Sequence, residues 1–227
     1  MNTDALAAWG RIRNEIDWTS AAGEATAPVA PLVDGFVIWC GEGSRSADLA
    51  RGRRLLAALT RSRTDASHGL PLTCTLLTGW QQLVLGMPGV RFRQGDAFAK
   101  GGRERYALTS HTQNDFERCL RDSADPRVPL AARAARAYLD VAFFHPFPDG
   151  NARLAMLTLA YVLELEGVRL DHVGPLQTTR YADDDAGAAD LAALVLVLIR
   201  STHQRATRLP RRGSSRPPVL LSRPLGG

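Results

Sequence analysis

The chain has 227 residues, 45% of them hydrophobic and 22% charged, and a formal net charge of +5. That composition suits one globular domain whose core needs neither disulfides nor a structural metal, and no apolar run approaches the roughly 20 residues of a membrane span. The positive charge does not argue for a nucleic-acid face: Arg205, Arg208, Arg211, Arg212, Arg216 and Arg223 share a terminal stretch without acids, and the remaining 22 basic residues meet 23 acids.

The first element predicted is a helix over residues 4 to 18, where Leu6, Trp9, Ile12, Ile16 and Trp18 recur at helical intervals. This start has acids and helical spacing in place of a basic, apolar leader, so a cytoplasmic protein is expected. Residues 33 to 41, apolar and partly β-branched, fit a short strand or an extended packing segment. Helical spacing returns from Ser46 to about Arg63 and again from Leu72 to Leu85. Over 90 to 108 the helical period breaks, and Gly95-Asp96 and Gly101-Gly102 supply turns for a β-hairpin.

A helix follows near 112 to 122. Pro129 opens a longer one, LAARAARAYLDVAFF. From Asn151 a segment apolar on nearly all sides predicts a central buried helix that stops at Gly167. The last helix is expected near 186 to 206, with Asp183-Asp184-Asp185 as its solvated cap. The tail, 207 to 227, is rich in Pro, Arg, Ser and Gly and is expected to be disordered. Cys40, Cys74 and Cys119 have no ligand spacing and read as buried small residues. His68, His111, His172 and His203 show no partner pattern.

The chemistry concentrates in His145-Pro146-Phe147-Pro148-Asp149-Gly150-Asn151-Ala152-Arg153, between one helix and the next. A glycine turn feeding a helix N-terminus offers backbone N–H groups and a positive dipole end, both suited to phosphate. Arg153 in the first turn can grip phosphate oxygens, and Asp149 is a hard oxygen ligand of the kind magnesium on a nucleotide takes. His145, across the loop, titrates near neutrality and fits a general base for a hydroxyl nucleophile. Together they suggest phosphoryl or nucleotidyl transfer.

This segment resembles the signature of the Fic/Doc family, which places His, Phe, an acid, Gly or Ala, Asn and Arg at these positions. Gly89-Val90-Arg91-Phe92-Arg93, ahead of the glycine turns, is similar to the opening of the family's hairpin flap. The resemblance implies an all-α, mainly helical Fic-type bundle with a small β-hairpin flap. Residues 70 to 206 would be its catalytic core, 1 to 69 a helical extension packed on it, and 207 to 227 the basic tail.

The resemblance also implies roles. His145 would deprotonate the target hydroxyl and Asp149 would hold Mg2+. Gly150, Asn151, Ala152 and Arg153 would bind the phosphates, and Phe147 would anchor the loop in the core. Arg91, Phe92 and Arg93 would belong to the flap that docks a target segment by strand addition. The expected reaction moves AMP, or another nucleoside monophosphate, from ATP or another nucleoside triphosphate to a Ser, Thr or Tyr hydroxyl of a target protein. Doc-like phosphorylation and a non-catalytic nucleotide- or protein-binding module are the alternatives, and an antitoxin-like regulator is a partner the family suggests.

Two positions depart from the common pattern: Ala152 stands where Gly is usual after Asn, and Met156 where a second arginine is usual. The family's inhibitory pattern, Ser/Thr-x-x-x-Glu-Gly/Asn, is approached by Ser20 to Glu24. Ala25 follows, and Met156 leaves no second arginine for that glutamate, so the match reads as chance.

Overall fold

The computed structural model describes residues 4–42 and 46–208, and among these it has eight α-helices and one two-stranded sheet. The helices are α1 (Ala5–Glu15), α2 (Gly35–Gly41), α3 (Ser46–Ser67), α4 (Cys74–Leu85), α5 (Thr112–Asp122), α6 (Leu130–Phe144), α7 (Asn151–Leu165) and α8 (Asp185–Arg208). Between α4 and α5 lie β1 (Ala97–Ala99) and β2 (Glu104–Tyr106), antiparallel, with Ala97 opposite Tyr106 and Ala99 opposite Glu104. The fold is the helical bundle with a small hairpin that the sequence implies. Of the tail, residues 207 and 208 close α8 and 209 to 227 lie outside the described residues.

The core forms around α6 and α7. Ala131, Ala132, Ala134, Ala135 and Ala137 are at most 1% exposed, and so many small residues let neighbouring helices approach α6 from several sides. α7, α8, α5 and α1 all pack on it, while α3 and α4 pack on α7. α8 has the length and apolar composition of a membrane span, but it lies on α6 and buries Leu191, Val195, Leu198 and Ile199.

No packing boundary falls near residue 69, because Trp9, Trp18, Phe36 and Leu59 share one buried cluster with Leu139 and Leu157. Asp140, fully buried on α6, ties α1 down: Arg13 reaches it through Nε at 2.7 Å and Nη2 at 3.0 Å, and the Trp9 indole donates to it at 3.0 Å.

The segment expected as a strand or extended stretch, 33 to 41, is helical instead. Asp34 caps α2 by accepting from the amides of Phe36 at 3.0 Å and Val37 at 3.2 Å. Phe36, Trp39 and Cys40 then share a buried face at three- and four-residue spacing, which outweighs the β preference of Val37 and Ile38. Pro129 stands at the N-cap of α6 rather than inside its first turn. In the aspartate run, Asp184 accepts from the Gly187 amide at 2.8 Å, as a capping residue does. All three cysteines are free and buried, and burial raises their thiols, Cys40 and Cys119 to about 12 and Cys74 to about 11.

Candidate active site

The loop from α6 to α7 begins and ends in left-handed backbone, at His145 (φ 49°) and Gly150 (φ 78°). Gly150 supplies the left-handed φ, and an added Cβ would also displace Nε2 of Gln81, 2.7 Å away, which donates to the Asp149 carbonyl. Phe147 is fully buried and anchors the loop, as expected. No side chain caps α7, so the first-turn amides keep the unpaired donors of a helix N-terminus beside exposed Ala152.

Asn151 closes the loop. It is 4% exposed, its Oδ1 accepts from the Phe147 amide at 3.0 Å, and its Nδ2 donates to the Phe147 carbonyl at 2.7 Å. Both of its polar groups are thus engaged by Phe147 and close the turn from inside, beside the amides expected to meet the phosphates. Asn151→Ala should cost roughly 2–4 kcal/mol, because it strands both polar groups of a buried residue. Urea unfolding measures that loss; unchanged stability with weakened nucleotide binding would point to a direct phosphate contact instead.

His145 is the C-cap of α6 and half-buried. Its Nδ1–H donates to the Ala142 carbonyl at 2.9 Å, the only role a carbonyl partner permits, which leaves the lone pair on Nε2. The ring stacks on Tyr106 of β2, with centroids 4.8 Å apart and planes at 10°. Burial, helped by the Arg93 and Lys100 charges, lowers its pKa below the ordinary 6.5, so the neutral ring predominates at pH 7.

Tyr106 is fixed in turn by its hydroxyl on buried Glu104, which also accepts from Lys100 at 2.6 Å and from the Ala182 amide at 3.1 Å. Tyr106, Glu104, Lys100 and Gln81 had no motif to announce them, because each acts through a contact between distant segments.

The hairpin lies where expected, but its site-facing residues are others. Phe92 is 8% exposed and packs near Phe116, and Arg93 is 5% exposed, donating to the carbonyls of Phe144, Gly95 and Ala107 while its own amide donates to Pro146. Both precede the strands: Arg93 binds the base of the hairpin to the motif loop and Phe92 packs towards α5, so docking through Phe92 and Arg93 is not supported; Arg91 alone of the three is exposed. The side chain presented outward is Phe98 on β1, 61% exposed. Asp4 bridges the outer edge of β2 at Arg105, so the edge of β1 is the one left for another strand among the described residues.

A cleft of about 750 Å³ brings these parts together: it is lined by Ala97 and Phe98 of β1, by His145 and the loop through Asp149 and Gly150, by Ala152 and Arg153 of α7, and by Arg51 of α3. Asp149 is exposed, accepts from the Gly150 amide at 2.6 Å and lies 3.4 Å from Arg153 Nη2. Two smaller cavities of about 360 Å³ adjoin it, and Arg51 and Arg153 line both.

Met156 does not face the main cleft. It is 3% exposed and lines one adjoining cavity with Trp39, Tyr138 and Glu42. Glu42 ends α2 and is followed by Gly43, so the Glu-Gly of the inhibitory pattern occurs here with Ile38 at its hydroxyl position. Glu24 is exposed beside Arg200 of α8. A search for the pattern relaxed at its first residue would have found Glu42.

Residues 71–163 match the family model described as Fic/DOC. Among solved structures, the chain is similar to a Fic-domain-containing signaling protein from Bacteroides thetaiotaomicron, at 19% identity over 74% of this chain and 75% of that one, with a TM-score of 0.48. It is similar also to residues 134–508 of Fic-1 from C. elegans (15% identity, 90% of this chain, 70% of that one, TM-score 0.48) and to a Fic family protein from Desulfovibrio desulfuricans (16%, 89%, 63%, 0.48). No curated protein matches the chain. Residues 71–163 are a domain of the Fic/DOC family.

Proposed function

We propose that the chain is a transferase that moves a nucleoside monophosphate from a nucleoside triphosphate to the hydroxyl of a target segment held along β1. The observation that carries this reading is the lone pair on Nε2 of a neutral histidine sharing one cleft with an uncapped helix N-terminus and Arg153. The hydroxyl oxygen attacks the α-phosphorus, the bond from that phosphorus to pyrophosphate breaks, and the hydroxyl proton passes to Nε2 of His145. Arg153 and the first-turn amides carry the phosphate charge, and the edge of β1 sets the depth at which the target backbone enters.

Asp149 suits magnesium as an exposed hard oxygen ligand standing singly in the cleft: no group of three metal-ligating side chains occurs among the described residues, and magnesium on a nucleotide takes one or two carboxylates and completes its shell with phosphate oxygens and water. Bound there, it would neutralise phosphate charge.

Intact-mass analysis of candidate targets, and of the protein itself, after incubation with ATP and magnesium tests the proposal. Addition of AMP supports it. Addition of a phosphoryl group alone moves the reading to the kinase-like branch. No addition with intact nucleotide binding leaves a binding module. Phe98→Ala should reduce target modification about tenfold, the loss of one buried aromatic contact, with nucleotide affinity unchanged. Equal loss of both would mean that Phe98 supports the fold.

A further inference from the structure

α7 carries no arginine at 156, yet the phosphate end of the cleft is not short of positive charge. α3 lays Arg51 along the main cleft and both adjoining cavities, and Arg54, three residues on and so on the same helix face, along one of those cavities with Asp149 and Arg153. The Arg54 stem lies over Gly86, where an added Cβ would stand 2.6 Å from its Cδ, so the missing side chain there gives the arginine its path. Both arginines are exposed, and neither has a carboxylate partner among the described residues, while Arg153 has only Asp149 at 3.4 Å. Three guanidinium groups thus stand around one exposed carboxylate, a surplus of charge suited to a multiply charged anion.

We infer that Arg51, assisted by Arg54, binds the outer phosphates of the nucleotide, so that α3 supplies the cationic contact that α7 lacks at Met156. The inference rests on the proposed nucleotide reaction and adds a direction to it. The ligand runs from His145, where the transferred phosphorus sits, past Arg153 to Arg51 and Arg54, where the departing pyrophosphate is held. Binding of the triphosphate tail then depends on how α3 sits against α7, and an anion without outer phosphates does not sense Arg51.

Calorimetry with magnesium tests this using three probes: inorganic tripolyphosphate, ATP and AMP. Arg51→Ala should weaken tripolyphosphate and ATP by tenfold or more, the loss of one charge-assisted contact, and leave AMP unchanged. Arg53→Ala, on the same helix and lining none of the three cavities around the loop, is the control and should change nothing. Circular dichroism checks that each variant is folded.

Unchanged ATP and tripolyphosphate affinity in folded Arg51→Ala overturns the inference and leaves the reaction standing if Arg153→Ala still loses binding. Arg51-dependent binding of tripolyphosphate without any binding of ATP or AMP keeps the anion site and removes the nucleotide reading. Equal weakening of all three probes also overturns it, since Arg51 would then act on the loop as a whole.

Discussion

His145→Asn should lower the transfer rate by about 10²- to 10⁴-fold, the usual contribution of a positioned general base. Asparagine is the informative replacement because position 145 has a φ of 49°, a conformation that asparagine tolerates and alanine resists at roughly 1–2 kcal/mol. Alanine would mix lost chemistry with a strained cap on α6. In the proposed reaction the phosphates are held by Arg153 and the first-turn amides of α7, so nucleotide affinity should change little and the loss falls in kcat and not in binding.

The same residue sets the pH dependence. Its folded pKa is lowered by burial and by the Arg93 and Lys100 charges, so the base is unprotonated above a value that lies below 6.5. Activity should rise as pH increases through that pKa, with the midpoint of the rise below 6.5, and this ascending limb should vanish in His145→Asn. A limb centred above 6.5 would assign the titration to another group, and full activity of the asparagine variant would remove His145 from the chemistry.

Asp140→Ala should destabilise the protein by about 3–5 kcal/mol, which for a chain of this size lowers the melting temperature by roughly 10 °C. The carboxylate is fully buried and holds Arg13 through two nitrogens as well as the Trp9 indole, so its removal leaves a buried guanidinium with only the Cys119 carbonyl at 3.2 Å and half-buried Asp122 at 3.0 Å. The damage should spread from α1 to the hairpin, because Asp4 at the head of α1 accepts from the Ala107 amide at 3.1 Å and bridges Arg105. Hydrogen exchange would show faster opening of residues 97 to 106 in this variant. A loss below 1 kcal/mol would mean that water reaches Arg13.

The sequence by itself determined the parts whose physics is local. Helical period fixed α3 to α8 to within a few residues, since a helix selects every third and fourth side chain for one face whatever lies beyond it. The motif placed His145, Gly150 and Arg153 at one turn because only six residues separate α6 from α7.

Only the tertiary structure decided the roles that depend on what stands opposite. Asn151 closes the loop because Phe147 folds back onto it, and Arg93 is a strut because three carbonyls from different segments surround it. Phe36, Trp39 and Cys40 make α2 a helix, since a buried face at that spacing outweighs β-branching. Arg51 lines one cleft with Arg153 from about a hundred residues upstream of it, a separation across which no sequence period carries information.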